Sequence, residues 1–440
     1  MKTRLRLLIV LLCAASFLSG CALHTVDEMY RLPKRSKSDS YLQSVIDQSM
    51  AELDYSAPIA GENQQTVQTV DLNGDGLVEF VVFARDSSAK NLRILIFFAQ
   101  ENSFTLGASI ETSGYAFEQV EYVDIDDQPG LEMVVGRQVS DQILRSMSVY
   151  SFASGEPEQL ITANYQKFLT CDLDQNGKKE VMLIQSGQTE ADRGIAVLYS
   201  YDQGHMVRSR EAEMSTPSDC VKRIMTSRLS SGEPAVYVAS SVDENAIITD
   251  VFSLRRGSFA NISFSNDSGT SVQTLRNYYV YADDIDGDGV LELPDLITMQ
   301  PIKNSTSAEQ QYLIRWYAMD IKGKEVTKLH TFHNYVGGWY LELDEDWAER
   351  ISVIQTETTF WFYVWDPQFT SAELLLSLHV FTGSDREEQA VAENRFVLYR
   401  AEGAVYSAKL EGGAIAHQIT QDELIPCFRL IHQAWKTGET

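Results

Sequence analysis

Apolar and polar residues alternate in short runs through most of residues 64–335, and the runs end in Gly, Asn, Asp or Ser. Period-two alternation places side chains on opposite faces of a strand, and that punctuation marks hairpin turns. The pattern predicts strands over Thr66–Leu72, Glu79–Arg85, Leu92–Gln100 and Ser103–Thr112. It repeats over Phe117–Ile125, Glu132–Gln138, Arg145–Phe152 and Glu158–Ala163. Four antiparallel strands per unit is the content of one propeller blade. Ahead of them, Leu42, Val45, Ile46, Met50 and Leu53 fall near helical spacing, which predicts a short helix over 41–53 docked on the domain that follows.

One nine-residue stretch recurs between the first and second strands of these units. It reads Asp71-Leu72-Asn73-Gly74-Asp75-Gly76-Leu77-Val78-Glu79 in its first copy and Asp124-Ile125-Asp126-Asp127-Gln128-Pro129-Gly130-Leu131-Glu132 in its second. The third is Asp172-Leu173-Asp174-Gln175-Asn176-Gly177-Lys178-Lys179-Glu180, and the fourth is Asp284-Ile285-Asp286-Gly287-Asp288-Gly289-Val290-Leu291-Glu292. The gap before the fourth is about twice the others and predicts a worn copy midway. Ser227-Arg228-Leu229-Ser230-Ser231-Gly232-Glu233-Pro234-Ala235 is found there, with the glycine kept and the carboxylates lost. Five units at a period of roughly 50 residues are the signature of a radial β array.

Oxygen-bearing side chains occupy positions 1, 3, 5 and 9 of the loop. Ca²⁺ takes about six to eight oxygens at ~2.3–2.6 Å, and a tight loop with alternate side chains turned inward supplies them. The candidate ligands are Asp71, Asn73, Asp75 and Glu79; Asp124, Asp126, Gln128 and Glu132; Asp172, Asp174, Asn176 and Glu180; and Asp284, Asp286, Asp288 and Glu292. Position 7 adds a backbone carbonyl from Leu77, Gly130, Lys178 and Val290. Metal-free Asp-Gly turns are common, but they leave the acid at position 9 unexplained, since an unpaired carboxylate on a buried strand is desolvated and repelled by its neighbours. The fourth loop, with four carboxylates, is expected to bind most tightly. The second is expected to bind most weakly, because Pro129 stands where positive φ is needed and Gly130 must take the bend. Lys178 and Lys179 are expected to weaken the field of the third. An EF-hand would need flanking helices and an acid at position 12; the first loop has Val82 there, within a strand-like run. Loops on separate blades are expected to lie too far apart for a two-metal centre of about 3.5–4 Å, so the metal role is structural.

These loops resemble the FG-GAP/VCBS repeats of integrin-α-type β-propellers, over roughly residues 60–335. The resemblance implies a mainly β fold: a β-propeller with DxDxDG-type loops spanning residues 41–335. Beyond Asn334 the character changes, and no further DxDxDG occurs. Residues 336–440 read as an α+β domain, an antiparallel sheet covered by a terminal helix over Gln421–Trp435 with Leu424, Ile425, Phe428, Ile431 and Trp435 at helical spacing. The alternative is a single seven-bladed propeller completed by two worn blades.

Charge narrows the function. Asp and Glu outnumber Lys and Arg 62 to 36, for a formal net charge of −26. Nucleic-acid binding needs a basic surface, so no nucleic-acid partner is expected. At the N-terminus, Lys2, Arg4 and Arg6 precede an apolar run, Leu7–Ala15, too short to span a bilayer. Leu18-Ser19-Gly20-Cys21 then resembles a bacterial lipobox. That resemblance implies a signal peptide over 1–20, diacylation of Cys21, a polar tether over 21–40, and a lipid-anchored protein on the extracytoplasmic face of the bacterial cell membrane. Of the remaining cysteines, Cys171, Cys220 and Cys427 are expected as free thiols in preference to a Cys171–Cys220 disulfide.

No HExxH, GxSxG or P-loop occurs. Ser265-Asn266-Asp267-Ser268-Gly269 resembles a single Asp box of sialidase-type propellers, without the aromatic residue that normally follows. His330 and His333, three apart on a strand, would point to opposite faces. Phe360, Phe362 and Val364 alternate with Trp361, Tyr363 and Trp365, so one set faces the core and the other is open to a ligand such as a sugar. The expected function is a Ca²⁺-stabilised scaffold binding a protein or glycan in the cell envelope. The alternative is a hydrolase or lyase with its active site at the propeller channel.

Overall fold

A computed structural model of the protein describes residues 37–431 apart from 88–90, 101–102, 140–143, 188–191, 279 and 303–310. Cys21, the signal segment and most of the tether lie outside these residues, as does Trp435. Helix Lys37–Ser49 begins inside the expected tether. It lays Leu42, Ile46 and Met50 on Val82, Ala84, Leu95 and Phe97 of the first sheet.

The chain is mainly β, and its described residues form six consecutive antiparallel sheets, four of the six beginning with a meander that follows the repeat. Sheet one holds Val67–Val70, Glu79–Asp86, Asn91–Gln100 and Ser103–Ser113, with the short strand Leu53–Tyr55 added on Glu79–Asp86. Sheet two runs Ala116–Val123, Glu132–Gln138, Arg145–Ser151 and Glu158–Tyr165, and sheet three Lys167–Cys171, Glu180–Gln185, Ile195–Asp202 and His205–Glu213. Sheet four, Val221–Arg228, Pro234–Ser241, Ile247–Arg255 and Ser258–Asn261, contains the worn repeat. Every predicted strand of the first two units is present, with ends shifted by a residue or two.

The sheets stack face to face in the manner of propeller blades. Separate apolar clusters join one to two, two to three, three to four, four to five and five to six. The second strand of each repeat is therefore covered on both sides, which is why Phe80-Val81-Val82-Phe83 is continuously apolar rather than alternating. Fourth strands such as Ser103–Ser113 lie at the edge and are largely exposed. Aromatic pairs mark the seams: Phe83 meets Phe117 edge-on at 5.0 Å, and Trp339 meets Phe360 at 4.8 Å.

Two expectations fail beyond Asn334. The boundary at 335/336 runs through a sheet: Glu325–Asn334 pairs with Trp339–Leu343, and sheet five comprises Leu293–Thr298, Tyr312–Met319 and these two strands. The terminal helix is a single turn, Gln421–Leu424, followed by the 3-10 turn Ile425–Cys427. Pro426 sits in that turn, where it removes a backbone donor, and the chain then extends as Phe428–Leu430 to pair with Trp339–Leu343. Phe428 is buried against Trp339, so the spacing that looked helical serves a strand and a turn. The rest of the segment forms sheet six, Ile351–Gln355, Thr359–Trp365, Ala372–Thr382, Phe396–Arg400 and Ala404–Leu410, with short helices beside it. The described residues hold six sheets, one fewer than the seven-bladed alternative requires.

Candidate metal loops

Each loop is tied together by its own side chains. Asp71 accepts the Gly74 and Gly76 N–H groups at 2.8 and 3.0 Å, one on each carboxylate oxygen. Asp284 repeats this with Gly287 and Gly289 at 2.8 and 3.0 Å. Asp172 accepts from Asn176 and Gly177, both at 3.1 Å. Position 5 accepts the N–H of position 7: Leu77 donates to Asp75, Lys178 to Asn176 and Val290 to Asp288. Asn73 and Asp286 at position 3 accept from Asp75 and Asp288. Gly76, Gly177 and Gly289 have positive φ, which lets the chain turn back toward its first aspartate.

Position 9 is where the loops depart from plain turns. Glu79, Glu132, Glu180 and Glu292 are 1%, 2%, 3% and 0% exposed. Glu79, Glu132 and Glu180 begin the second strands of their sheets, Glu292 directly precedes strand Leu293–Thr298 of sheet five, and each accepts the N–H of position 2: Leu72 at 2.8 Å, Ile125 at 2.7 Å, Leu173 at 2.9 Å and Ile285 at 3.1 Å. Burial raises the pKa of all four, with the neighbouring aspartates adding to it. Glu180 is pushed up to about 7 and Glu292 to about 8. Glu292 Oε1 has no hydrogen-bond partner.

Loops three and four bring their acids together. Ligand atoms of Asp172, Asp174 and Glu180 lie within 4.8 Å of one another, as do those of Asp284, Asp286 and Glu292. These are the clusters of three or more acids able to hold a metal ion among the described residues. Loop one has the same internal bonds with Asn73 at position 3. Loop two differs: Gly130 carries the positive φ in place of Pro129, as expected, and Asp126 accepts from Gln128. Asp124 instead meets Lys178 of loop three at 2.8 Å.

The lysines therefore act on unexpected partners. Lys178 reaches across to loop two rather than lowering the field of its own loop. Lys328, on strand Glu325–Asn334, places its ammonium 2.5 Å from Asp288 and 3.7 Å from Asp286. It offsets part of the charge that set loop four apart, and it holds Asp288 below the usual carboxylate range. No motif announces Lys328, which comes from another strand of the same sheet.

The loops are also not isolated along their edge of the stack. A Cβ on Gly74 would fall 2.5 Å from both Gly130 N and Pro129 Cβ, so loop one packs directly on loop two. Lys179 N–H donates to Asp124 O at 2.8 Å, joining loop three to loop two. At the worn copy, Ser227 Oγ accepts from Leu291 N–H at 2.9 Å and donates to Gly289 O at 3.3 Å. The worn loop, without its acids, thus braces loop four.

The remaining candidates are packing groups or surface. His330 is buried, and His333 is half-buried against the rings of Trp316 and Tyr340; desolvation lowers both pKa values, that of His333 to about 3. Phe360, Phe362 and Val364 face the core, while Trp361, Tyr363 and Trp365 are half-buried on the other face of sheet six. Cys171, Cys220 and Cys427 are free thiols. Among the described residues no helix is long and apolar enough to cross a membrane.

No protein-family model matches the chain, and no curated protein matches it in sequence. Among solved structures it is similar to the exotype rhamnogalacturonan lyase YesX, at 12% identity and a TM-score of 0.29, covering 73% of this chain and 65% of that one. It is similar to the rhamnogalacturonan lyase YesW at 12% identity and a TM-score of 0.31, covering 73% and 74%. A Bacillus licheniformis rhamnogalacturonan lyase matches at 8% identity and a TM-score of 0.30, covering 73% and 91%.

Proposed function

We propose that this protein is a lipid-anchored protein of the bacterial cell envelope, in which Ca²⁺ held by the loops stiffens one edge of a propeller-like stack that binds a protein or glycan partner. The observation that carries the metal reading is Glu292: fully buried, drawn within 4.8 Å of Asp284 and Asp286, and with one oxygen unpartnered. A buried carboxylate drawn close to two others is repelled by them unless a cation or a proton intervenes. The donors are all oxygen, which suits a hard cation, and a pliable loop of carboxylates suits Ca²⁺ better than Mg²⁺ with its strict octahedral demand. When bound, the ion would neutralise the loop. The protein's own residues orient the ligands through the backbone bonds that Asp71, Asp172 and Asp284 accept.

Thermal unfolding of the metal-depleted protein across a Ca²⁺ titration tests this, with Mg²⁺ as the control. An ion at 100 times its dissociation constant adds about 2.7 kcal/mol per site, so a rise of several degrees is expected, reduced by Asp284→Ala. A flat titration would reduce these loops to turns. The anchor is tested separately by Cys21→Ser, which is expected to move the protein from the membrane fraction to the soluble one; unchanged fractionation would sink the lipoprotein reading.

A further inference from the structure

The geometry points to a saccharide site at the edge of the stack opposite the metal loops, built to take a neutral sugar. It rests on the scaffold reading above, whose partner it specifies. Strand Leu293–Thr298 leaves loop four at Leu293, and its far end, Thr298, pairs with Tyr312. At ~3.3 Å per residue, those ends stand about 17 Å apart. Strand Glu325–Asn334 runs the same way, with Lys328 at loop four and Asn334 at the distant end.

A cavity of about 340 Å³ opens at that distant end, between sheets five and six. This lies within the range of roughly 300–1,000 Å³ for small-molecule sites. Three tyrosines line it together with the apolar side chains of Leu296, Ile314, Phe332 and Val336. Tyr278 and Tyr312 are 38% and 44% exposed. Tyr335 packs on Tyr278 with ring centroids 5.1 Å apart, and its hydroxyl is buried with no hydrogen-bond partner. Amides complete the lining: Gln311, Asn334 and, from sheet six, Gln355. Asn334 uses its carbonyl to accept the Gly337 N–H at 2.9 Å, which leaves its amide donors for a ligand.

The composition of this lining selects its occupant. Among the described residues the lining contains no Asp, Glu, Lys or Arg, in a chain that carries 62 acidic and 36 basic residues. Beside Tyr335, burial keeps His333 uncharged, and the buried guanidinium of Arg276 behind it donates to Val280, Thr249 and Thr274 rather than lining the cavity. A phosphate, a metal or a uronate would find no opposite charge among these lining residues. A purely aliphatic ligand would strip water from three amides and from the exposed Tyr278 and Tyr312 without replacing its hydrogen bonds. A neutral sugar meets both demands, because its C–H faces lie against aromatic rings while its hydroxyls reach the amides of Gln311, Asn334 and Gln355.

The test is calorimetric titration of the full-length protein in mild detergent with linear hexaoses of glucose, xylose and mannose. An oligogalacturonate and a proline-rich peptide serve as the acidic and peptide probes. Binding of a neutral hexaose is expected. Tyr312→Ala should weaken it about fivefold or more, the scale of one ring contact, and Gln355→Ala, at an exposed lining amide, should weaken it without lowering the melting temperature. Several results would overturn the site: no neutral hexaose binds, both variants bind as tightly as the parent, or the acidic or peptide probe binds through the same residues. Melting of the same samples with and without Ca²⁺ separates the two readings. Ca²⁺-dependent melting without saccharide binding overturns the saccharide site alone, and saccharide binding without Ca²⁺-dependent melting keeps the site and overturns the metal scaffold.

Discussion

Replacing Glu292 with glutamine should raise stability in the absence of metal and lower it in its presence. The carboxyl is fully buried, and burial, with Asp286 and Asp288 nearby, lifts its pKa from about 4.5 to about 8. The metal-free folded state therefore holds a proton that the unfolded state releases near pH 4.5. That stabilisation is fully present below about pH 4.5 and is lost as pH rises through about 8. At 1.36 kcal/mol per pKa unit the total is on the order of 4–5 kcal/mol. For roughly 400 residues, at about 2.1 cal/mol/K of unfolding entropy each, that is a fall of ~5 °C in melting temperature between about pH 5 and pH 8. Bound Ca²⁺ reverses the sign, because the ion favours the ionised carboxyl. Melting followed by circular dichroism, at both pH values, with and without Ca²⁺, gives four conditions for parent and variant. In metal-free solution Glu292→Gln should flatten the pH slope and melt above the parent near pH 8. With Ca²⁺ it should melt below the parent. A variant less stable than the parent in metal-free solution near pH 8, or one that keeps the full Ca²⁺ increment, would refute the reasoning.

Lys328→Met should tighten Ca²⁺ binding at loop four about fivefold, the equivalent of the ~1 kcal/mol of a partly exposed ion pair, since the ion no longer displaces the ammonium from Asp288; calorimetric titration against the parent measures it, and unchanged affinity would leave Lys328 a surface residue. Phe428→Ala should destabilise the fold by about 3 kcal/mol or more, because this ring stacks on Trp339 at 5.5 Å and meets Tyr406 of sheet six at 4.9 Å; urea unfolding reads it. Residues 336–440 expressed alone should lack cooperative unfolding, since Trp339–Leu343 and Phe428–Leu430 would have lost the strands of sheet five; a sharp melt would restore the separate domain.

What was legible in the chain was local. The loop residues lie within nine positions of one another, and the strands of a meander are neighbours in sequence, so alternation, Asp-Gly spacing and the acid at position 9 exposed both. The worn copy at Ser227 was found by spacing alone, and its present role, bonding to Gly289 and Leu291, is visible only in three dimensions. What was illegible came from distant sequence. Lys178 and Lys328 each supply a cation to acids far from them along the chain, and nothing in their own neighbourhoods encodes a partner. Phe428–Leu430 returns to sheet five across the whole of sheet six, and spacing cannot tell a buried turn and strand from a helix when both place apolar residues every third or fourth position. The misplaced boundary at 335/336 has the same origin. Beyond it no further acidic loop of this kind occurs, yet hydrogen bonding does not stop: the sheet continues from Asn334 into Trp339. A change in loop chemistry marks where the acidic loops end, and a change in pairing marks where a folding unit ends. In this chain the two fall at different places.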